Sequence, residues 1–350
     1  MKVTEVQAVY PKWRRVWPRD AWQGHFWQIA VRVNTDVGVV GHGYGGGGEP
    51  AVHVINDHLR QLLIGRSINS VEDISGLWDE LYRASIPYGR GGLAQMALSG
   101  VDLALWDSLA RAERTPVHRL IGPRTKAQSR AYATSDNIGL TVSYGYTAMK
   151  LFHSWSSTTD FDVAVEKVAA ARKELGPAAR IMVDCYMSWS VEVAARMAEV
   201  LAPYDPFWFE DVATPEHLDS LARLRPMVKP VLLAGGEHDY TPTAFGEIAR
   251  NGALDIWQPD VTWAGGITGT LRILDIARAH GIPVVLHRGG EPWGLHLIVA
   301  SDCLDLAETM PERWQEPRNE LWIDEPEVVA GVIEPSDEPG FGVRLNEELL

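Results

Sequence analysis

Cysteine is nearly absent from this chain: Cys185 and Cys303 are the two in 350 residues. Neither stands in a metal-like spacing, so a disulfide framework is not expected and a reducing compartment is. No apolar run approaches the ~18 residues of a membrane span. The start MKVTEVQAVYPKWRR has no uninterrupted apolar stretch of the signal-peptide kind. The expectation is a cytoplasmic protein with no membrane partner. Positive charge is also in deficit. Lys and Arg number 32 against 46 Asp and Glu, a formal net charge of −14. That argues against nucleic acid as a partner, which selects for clustered cations. Part of the acidity is expected at a cation site. What is there otherwise is an ordinary soluble composition, 46% hydrophobic and 22% charged. Tryptophan, at 14 residues, is abundant, and several stand beside charges in PKWRRVWPRDAWQGHFW. Most should pack, and a few would wall a pocket.

The chain changes rhythm near residue 125. Before it, KVTEVQAVY and HFWQIAVRVNT alternate like strands, GVVGHGYGGGGEP supplies turns, and helical patches follow at 51–64 and 70–84. In the long GGLAQMALSGVDLALWDSLARAE, Leu93, Met96, Ala97, Val101, Leu105 and Leu109 repeat at helical spacing. After it, short β-like runs alternate with amphipathic segments: SRAYAT, TAMKLF, RIMVD, PFWFE, PVLLAGGE, LDIWQPD, PVVLH and CLDLAE. That makes about eight β/α units, the number that closes a parallel barrel. The fold class is therefore α/β, a (β/α)8 TIM-type barrel with an N-terminal α+β unit. The expected division is 1–122 for that unit, 123–322 for the barrel, and 323–350 for a segment packing back on the first unit.

The last polar residues of the barrel runs form a series: Lys150, Asp184, Glu210, Glu237, Asp260, His287 and Glu308. Barrels of this kind place their chemistry at the carboxyl ends of the strands. Singly, each of these acids is most simply a solvated loop residue. Asp184, Glu210 and Glu237 in consecutive units would repel one another unless protonated or bound to a cation, and Mg²⁺ suits such an oxygen donor set. Asp260 and His287 end adjacent runs, so the carboxylate can fix the imidazole tautomer and make the ring a base toward an α-proton. Lys150, among apolar neighbours, is a candidate cation for a substrate carboxylate. Glu308, if protonated, could donate to the same carboxylate. His238 directly follows Glu237, and strand alternation should turn it away. His153, Trp155 and His25 are candidate pocket residues.

The ordered set MKLF, IMVDCYMSWS, WFEDVATPEHL, LLAGGEH, DIWQPDVTWAGGIT, VVLHRGG and GFGVRLNEEL resembles the enolase superfamily, mandelate racemase subgroup. The similarity is strongest to its acid-sugar dehydratases, including those that act on L-rhamnonate, and covers nearly the whole chain. It implies an α+β capping domain over a modified barrel, one Mg²⁺ per subunit on Asp184, Glu210 and Glu237, and His287–Asp260 as base. It also implies a small acid-sugar substrate and a symmetric homo-oligomer such as an octamer. Many members carry a second lysine two residues after the first on strand two, serving the opposite face of the substrate. Phe152 stands there, and phenylalanine transfers no proton. Racemisation needs groups on both faces, whereas elimination needs one base plus an acid for the leaving hydroxide. Dehydration to a 2-keto-3-deoxy acid is therefore the first expectation. A racemase or epimerase, with His153 or another residue serving the second face, is the alternative, and a non-catalytic sugar-acid binder a third. HRGGEPWG departs from the PHGSS-type sequence of the rhamnonate enzymes and sets Arg288 and Glu291 beside the base.

Overall fold

The computed structural model describes residues 1–11, 28–301, 306–314 and 321–350. His25, Cys303 and most of the tryptophan-rich stretch lie outside them. Strands β1 (Val3–Val9), β2 (Ile29–Thr35) and β3 (Val40–Gly45) form an antiparallel sheet in that order. One of its faces packs on the helix Leu93–Ala112. The helix is buried almost all round from Ala94 to Ala110, while Leu93 is exposed. The helix has the sheet on one flank and the barrel helix Gly266–His280 on the other, which an all-round apolar sequence permits. On that second flank Trp106 Nε1 donates to Thr268 Oγ1 at 3.0 Å, and Thr268 N–H donates to Asp102 Oδ2 at 3.0 Å.

Glycine makes the first flank possible. A Cβ placed on Gly43 would stand 2.0 Å from Gly100 O and 2.6 Å from Ala104 N, so β3 lies directly on the helix backbone. Gly43→Ala is therefore expected to lower stability by about 2–3 kcal/mol, the upper range of overpacking, read as a reduced midpoint in chemical denaturation.

The barrel runs β4 (Ser129–Thr134), β5 (Ala148–Phe152), β6 (Arg180–Asp184), β7 (Trp208–Glu210), β8 (Leu232–Gly235) and β9 (Ile256–Trp257), with β10 (Leu306–Thr309) beside β4. All these neighbours are parallel. The run PVVLH, read as a strand, takes the remaining position without a ladder. Single bridges join it to β9 at Trp257–Val284 and to the loop after β9 at Asp260–His287. Past it, Gly290 N–H donates to Glu308 O at 2.8 Å. The interior confirms eight positions, because Tyr132, Ala148, Met182, Trp208, Ala234, Ile256, Val285 and Leu306 cluster as one buried layer, one from each.

The last stretch carries β11 (Trp322–Ile323), β12 (Val332–Ile333) and β13 (Arg344–Leu345). β12 pairs antiparallel with β4, and β11 pairs with β13. Phe341 N–H donates to Asp107 Oδ1 at 3.0 Å, tying the stretch to the helix Leu93–Ala112. Val117 N–H donates to Gly340 O at 2.9 Å, tying it also to the short helix Val117–Ile121. Among the described residues no helix is long and apolar enough to cross a membrane.

Candidate active site

Strand alternation builds the site directly on the barrel's inner layer. Two residues beyond each layer member, the side chain returns to the same face. Ala148 leads to Lys150, Met182 to Asp184, Trp208 to Glu210, Val285 to His287 and Leu306 to Glu308. The same step takes Tyr132 to Thr134 and Ile256 to Gln258, two residues not expected at the site. Glu237 and Asp260 lie beyond the ends of their strands, on the loops that come after them.

Lys150 is the hub of the lower half. Its Nζ contacts Glu210, and lies 2.7 Å from Glu308 Oε1 and 3.5 Å from Asp184 Oδ2. Burial disfavours its charge, but Glu210, Glu308 and Asp184 outweigh that and hold its pKa well up. Gln258 Nε2 (2.7 Å) and Trp208 Nε1 (3.0 Å) both donate to Glu210 Oε2. Glu308 accepts from Thr134 Oγ1 at 2.5 Å and from the Arg288 backbone N–H at 2.7 Å. Burial would raise the Glu308 pKa, yet Lys150 and His287 beside it pull it well below its usual value. An ionised Glu308 accepts and does not donate, so the protonated donor expected from sequence is not what this geometry favours. Lys150, at 2% side-chain exposure and surrounded by carboxylates, is likewise spent on them and does not stand open as a substrate clamp. The accessible edge is higher: Asp184, Glu237 and His287 keep 17%, 12% and 10% of their side chains exposed.

On that edge sits the histidine. His287 Nδ1 is 2.7 Å from Asp260 Oδ2, and Nε2 is 3.2 Å from Glu237 Oε2. Asp260 is fully buried, and burial alone would raise its pKa. Arg288 and His287 reverse that and hold it far below the usual range, as an acceptor only. Nδ1 must therefore carry a proton, which leaves Nε2 to face Glu237 and the opening. Burial lowers the His287 pKa, but Glu237, the Asp260 hydrogen bond and Glu308 bring the net value up to about 9.

Backbone strain marks the same places. Four of the non-glycine residues with φ between +47° and +55° are Tyr186, Met187, Asp211 and Arg288. Each falls one to three positions after Asp184, Glu210 or His287, and each such conformation costs on the order of 1–3 kcal/mol unless the surroundings enforce it. His238 differs from expectation. β8 ends at Gly235, and Gly236 turns with φ +117°, so alternation no longer applies. His238 Nε2 thus lies 3.3 Å from Glu237 Oε1 and 3.6 Å from Asp211 Oδ2. His153 stays apart: its ring packs near Trp189, and the charges acting on it are Lys167, Asp160 and Asp136. Trp155 packs on Phe161, with ring centroids 4.8 Å apart. Phe152 shares the Lys150 face, is 45% exposed and leans toward Tyr186.

The donor chemistry fits a hard divalent cation. Asp184, Glu210 and Glu237 offer only oxygen, and the surrounding carboxylates, with Glu308 and Asp211, outnumber the cations Lys150 and His287. Burial raises the pKa of Asp184, Glu210 and Asp211, and the neighbouring carboxylates add to the rise. Lys150 opposes the rise at each of them, and a bound cation would oppose it further. Among the described residues, the donors that approach within 4.8 Å of one another are those of Asp211, Glu237 and His238. Glu237 is thus common to this cluster and to the expected trio.

A capping sheet and helix over a β/α barrel, with carboxylates, a lysine and a His–Asp pair at the strand ends, define the class as enolase-like. The chain belongs to the mandelate racemase/muconate lactonizing enzyme family of the enolase superfamily. Residues 5–122 match the family's N-terminal domain, and residues 136–349 match the enolase C-terminal domain-like family. It is 34% identical over 330 residues to an L-rhamnonate dehydratase of Saccharopolyspora erythraea, covering 92% of this chain and 84% of that protein. A rhamnonate dehydratase from Gibberella zeae, solved with Mg, superposes with a TM-score of 0.90 at 28% identity, over 99% of this chain and 95% of that one. A racemase from Streptomyces coelicolor with bound magnesium gives 0.87 at 28% identity, over 99% and 98%.

Proposed function

We propose that this protein is a hydro-lyase that dehydrates an acid sugar, an aldonate or aldarate of the L-rhamnonate kind, to a 2-keto-3-deoxy acid. The observation that carries the reading is the one-sidedness of the site. His287 presents Nε2 at the opening, while the position two beyond Lys150, on a strand three places round the barrel, holds Phe152. The likeness to dehydratases supports the same reading.

Asp184, Glu210 and Glu237 would hold Mg²⁺, which supplies the positive charge that stabilises the carboxylate as negative charge builds on it. Glu237 is the largest influence keeping the ring protonated, and with Glu237 holding the cation that influence would be relieved. His287 Nε2 can then take the proton from C2, with Asp260 holding the ring's tautomer and countering the charge that forms. The C3–O bond then breaks as the electron pair of the former C2–H bond forms the C2–C3 double bond. The proton on Nε2 leaves with the departing hydroxide as water, which one base can do when loss is syn. The enol becomes the 2-keto acid.

The test is a 2-keto-3-deoxy-acid assay over mono- and diacid sugars with Mg²⁺ and again in EDTA. Product from one or a few acids, abolished by EDTA, is the expected result. The racemase likeness supports a second reading. Solvent deuterium entering C2 of recovered substrate, with no keto acid, would establish it in place of the first. A homo-oligomer is part of the proposal, and sedimentation velocity reads it.

A further inference from the structure

Arg288 comes directly after the histidine, yet both side chains turn onto one carboxylate. Arg288 Nε is 2.9 Å and Nη2 2.8 Å from Asp260 Oδ2, the same oxygen that accepts from His287 Nδ1. The left-handed backbone at Arg288, φ +50°, is what lets adjacent residues converge in this way. The other oxygen, Oδ1, accepts from Thr262 N–H and Thr262 Oγ1, both at 2.7 Å. The threonine hydroxyl has one proton, given to Asp260, so its lone pair takes Arg288 Nη2 at 2.5 Å. Arg288, Asp260 and Thr262 form a closed ring of bonds in which every donor and acceptor role is determined.

The guanidinium is fixed on its remaining sides as well. Trp263 and Tyr44 face it, with its central carbon 5.2 and 6.0 Å from their ring centres. Its outer edge meets Glu291 at 3.8 Å, which pairs with Arg313 at 3.2 Å, which in turn pairs with Glu325 at 2.6 Å. Its backbone N–H is bound to Glu308. A cation committed on both edges and packed near two rings, with 9% side-chain exposure, is not placed to bind substrate. It is placed to stop the Asp260 carboxylate from turning.

Resting on the reading of His287 as the base, we propose that Arg288 is a positioning residue for the His287–Asp260 pair. It locks the plane of the carboxylate and, through it, the orientation and tautomer of the imidazole. With Arg288 gone, Oδ2 keeps His287 alone and the carboxylate can rotate on its Thr262 anchor, carrying the ring off line.

The test compares Arg288→Gln and Arg288→Lys with the wild-type Mg²⁺-loaded protein. Misplacing a catalytic group by an ångström costs about 10²-fold, so Arg288→Gln should lose about that much in kcat. KM and the Mg²⁺ affinity by calorimetry should move by less than about threefold. Arg288→Lys, which keeps a charge but loses the fork, should recover part of the loss. The second readout needs no turnover. It is the ring ¹⁵N spectrum of histidine-labelled protein, with the His287 signals assigned by their absence in His287→Asn. Recorded at about pH 10, above the ring's pKa of about 9 so that the imidazole is neutral, wild type should show a single tautomer protonated at Nδ1, and Arg288→Gln a mixed or broadened one. An unchanged ring spectrum, or a raised KM with kcat intact, overturns the proposal. Should Arg288→Gln fail to fold, Thr262→Val opens the same ring and is expected to loosen the same His287 signals, and unchanged signals there also overturn it. Wild-type inactivity on every acid would sink the dehydration reading alone, since the spectrum still reports on Arg288.

Discussion

Replacing His287 with asparagine is expected to cut turnover by about 10³-fold or more, toward the upper range for a general acid–base group that serves two proton transfers. The asparagine amide can still donate to Asp260 Oδ2, the partner 2.7 Å from Nδ1 in the native ring. What it lacks is any basic atom at the Nε2 position, 3.2 Å from Glu237. Asp184, Glu210 and Glu237 are untouched, so Mg²⁺ binding by calorimetry should survive. That pairing of lost turnover with retained metal separates a chemical role from a structural one. Near-native activity in the variant would end the assignment of His287 as base.

Lys150→Met is expected to have the largest effect on stability. The side chain is 2% exposed, and Asp184, Glu210 and Glu308 converge on its charge. Removing one partner of such a buried cluster leaves uncompensated charge and costs about 3–5 kcal/mol. The loss should be read in metal-free protein as a lowered denaturation midpoint. It also has a pH sign. Without the lysine, the folded-state pKa values of Asp184 and Glu210 rise further above their unfolded values, and that of Glu308 rises from below its own. A carboxylate with a raised folded pKa binds its proton more tightly in the folded state, so the folded state gains as pH falls. The deficit of the variant should therefore shrink from pH 8 toward pH 5. Added Mg²⁺ should restore more stability to the variant than to wild type, because it replaces some of the missing positive charge. A deficit independent of both pH and Mg²⁺ would mean that the lysine acts through packing alone.

The two variants probe residues of different legibility. His287 and the carboxylates could be read as strand-end residues because a parallel barrel repeats one simple unit, a short apolar run closed by a polar residue. The layer beneath them keeps the same period, and extending it by two residues from Tyr132 and Ile256 would have pointed to Thr134 and Gln258. The roles of Lys150 and Glu308 were not legible. A lysine ending an apolar run looks the same whether it faces a substrate or three carboxylates. His238 was misjudged because alternation was carried past the point where Gly236 turns the chain. The spacing along Leu93–Ala112 shows a helix but not its second partner, Gly266–His280, which lies more than 150 residues away in sequence.

Period and composition, which are local, were enough to determine a barrel preceded by an α+β unit, the set of strand-end residues, and the family likeness they carry. Which charge each residue faces depends on strands far apart in sequence meeting around one axis, and only the tertiary structure decided that. It set Lys150 among carboxylates, left Nε2 of His287 at the opening, and folded Arg288 back onto Asp260 through a single left-handed residue. Electrostatic partnership inside a protein is a property of distance in space, and the sequence order of these groups carries little of it.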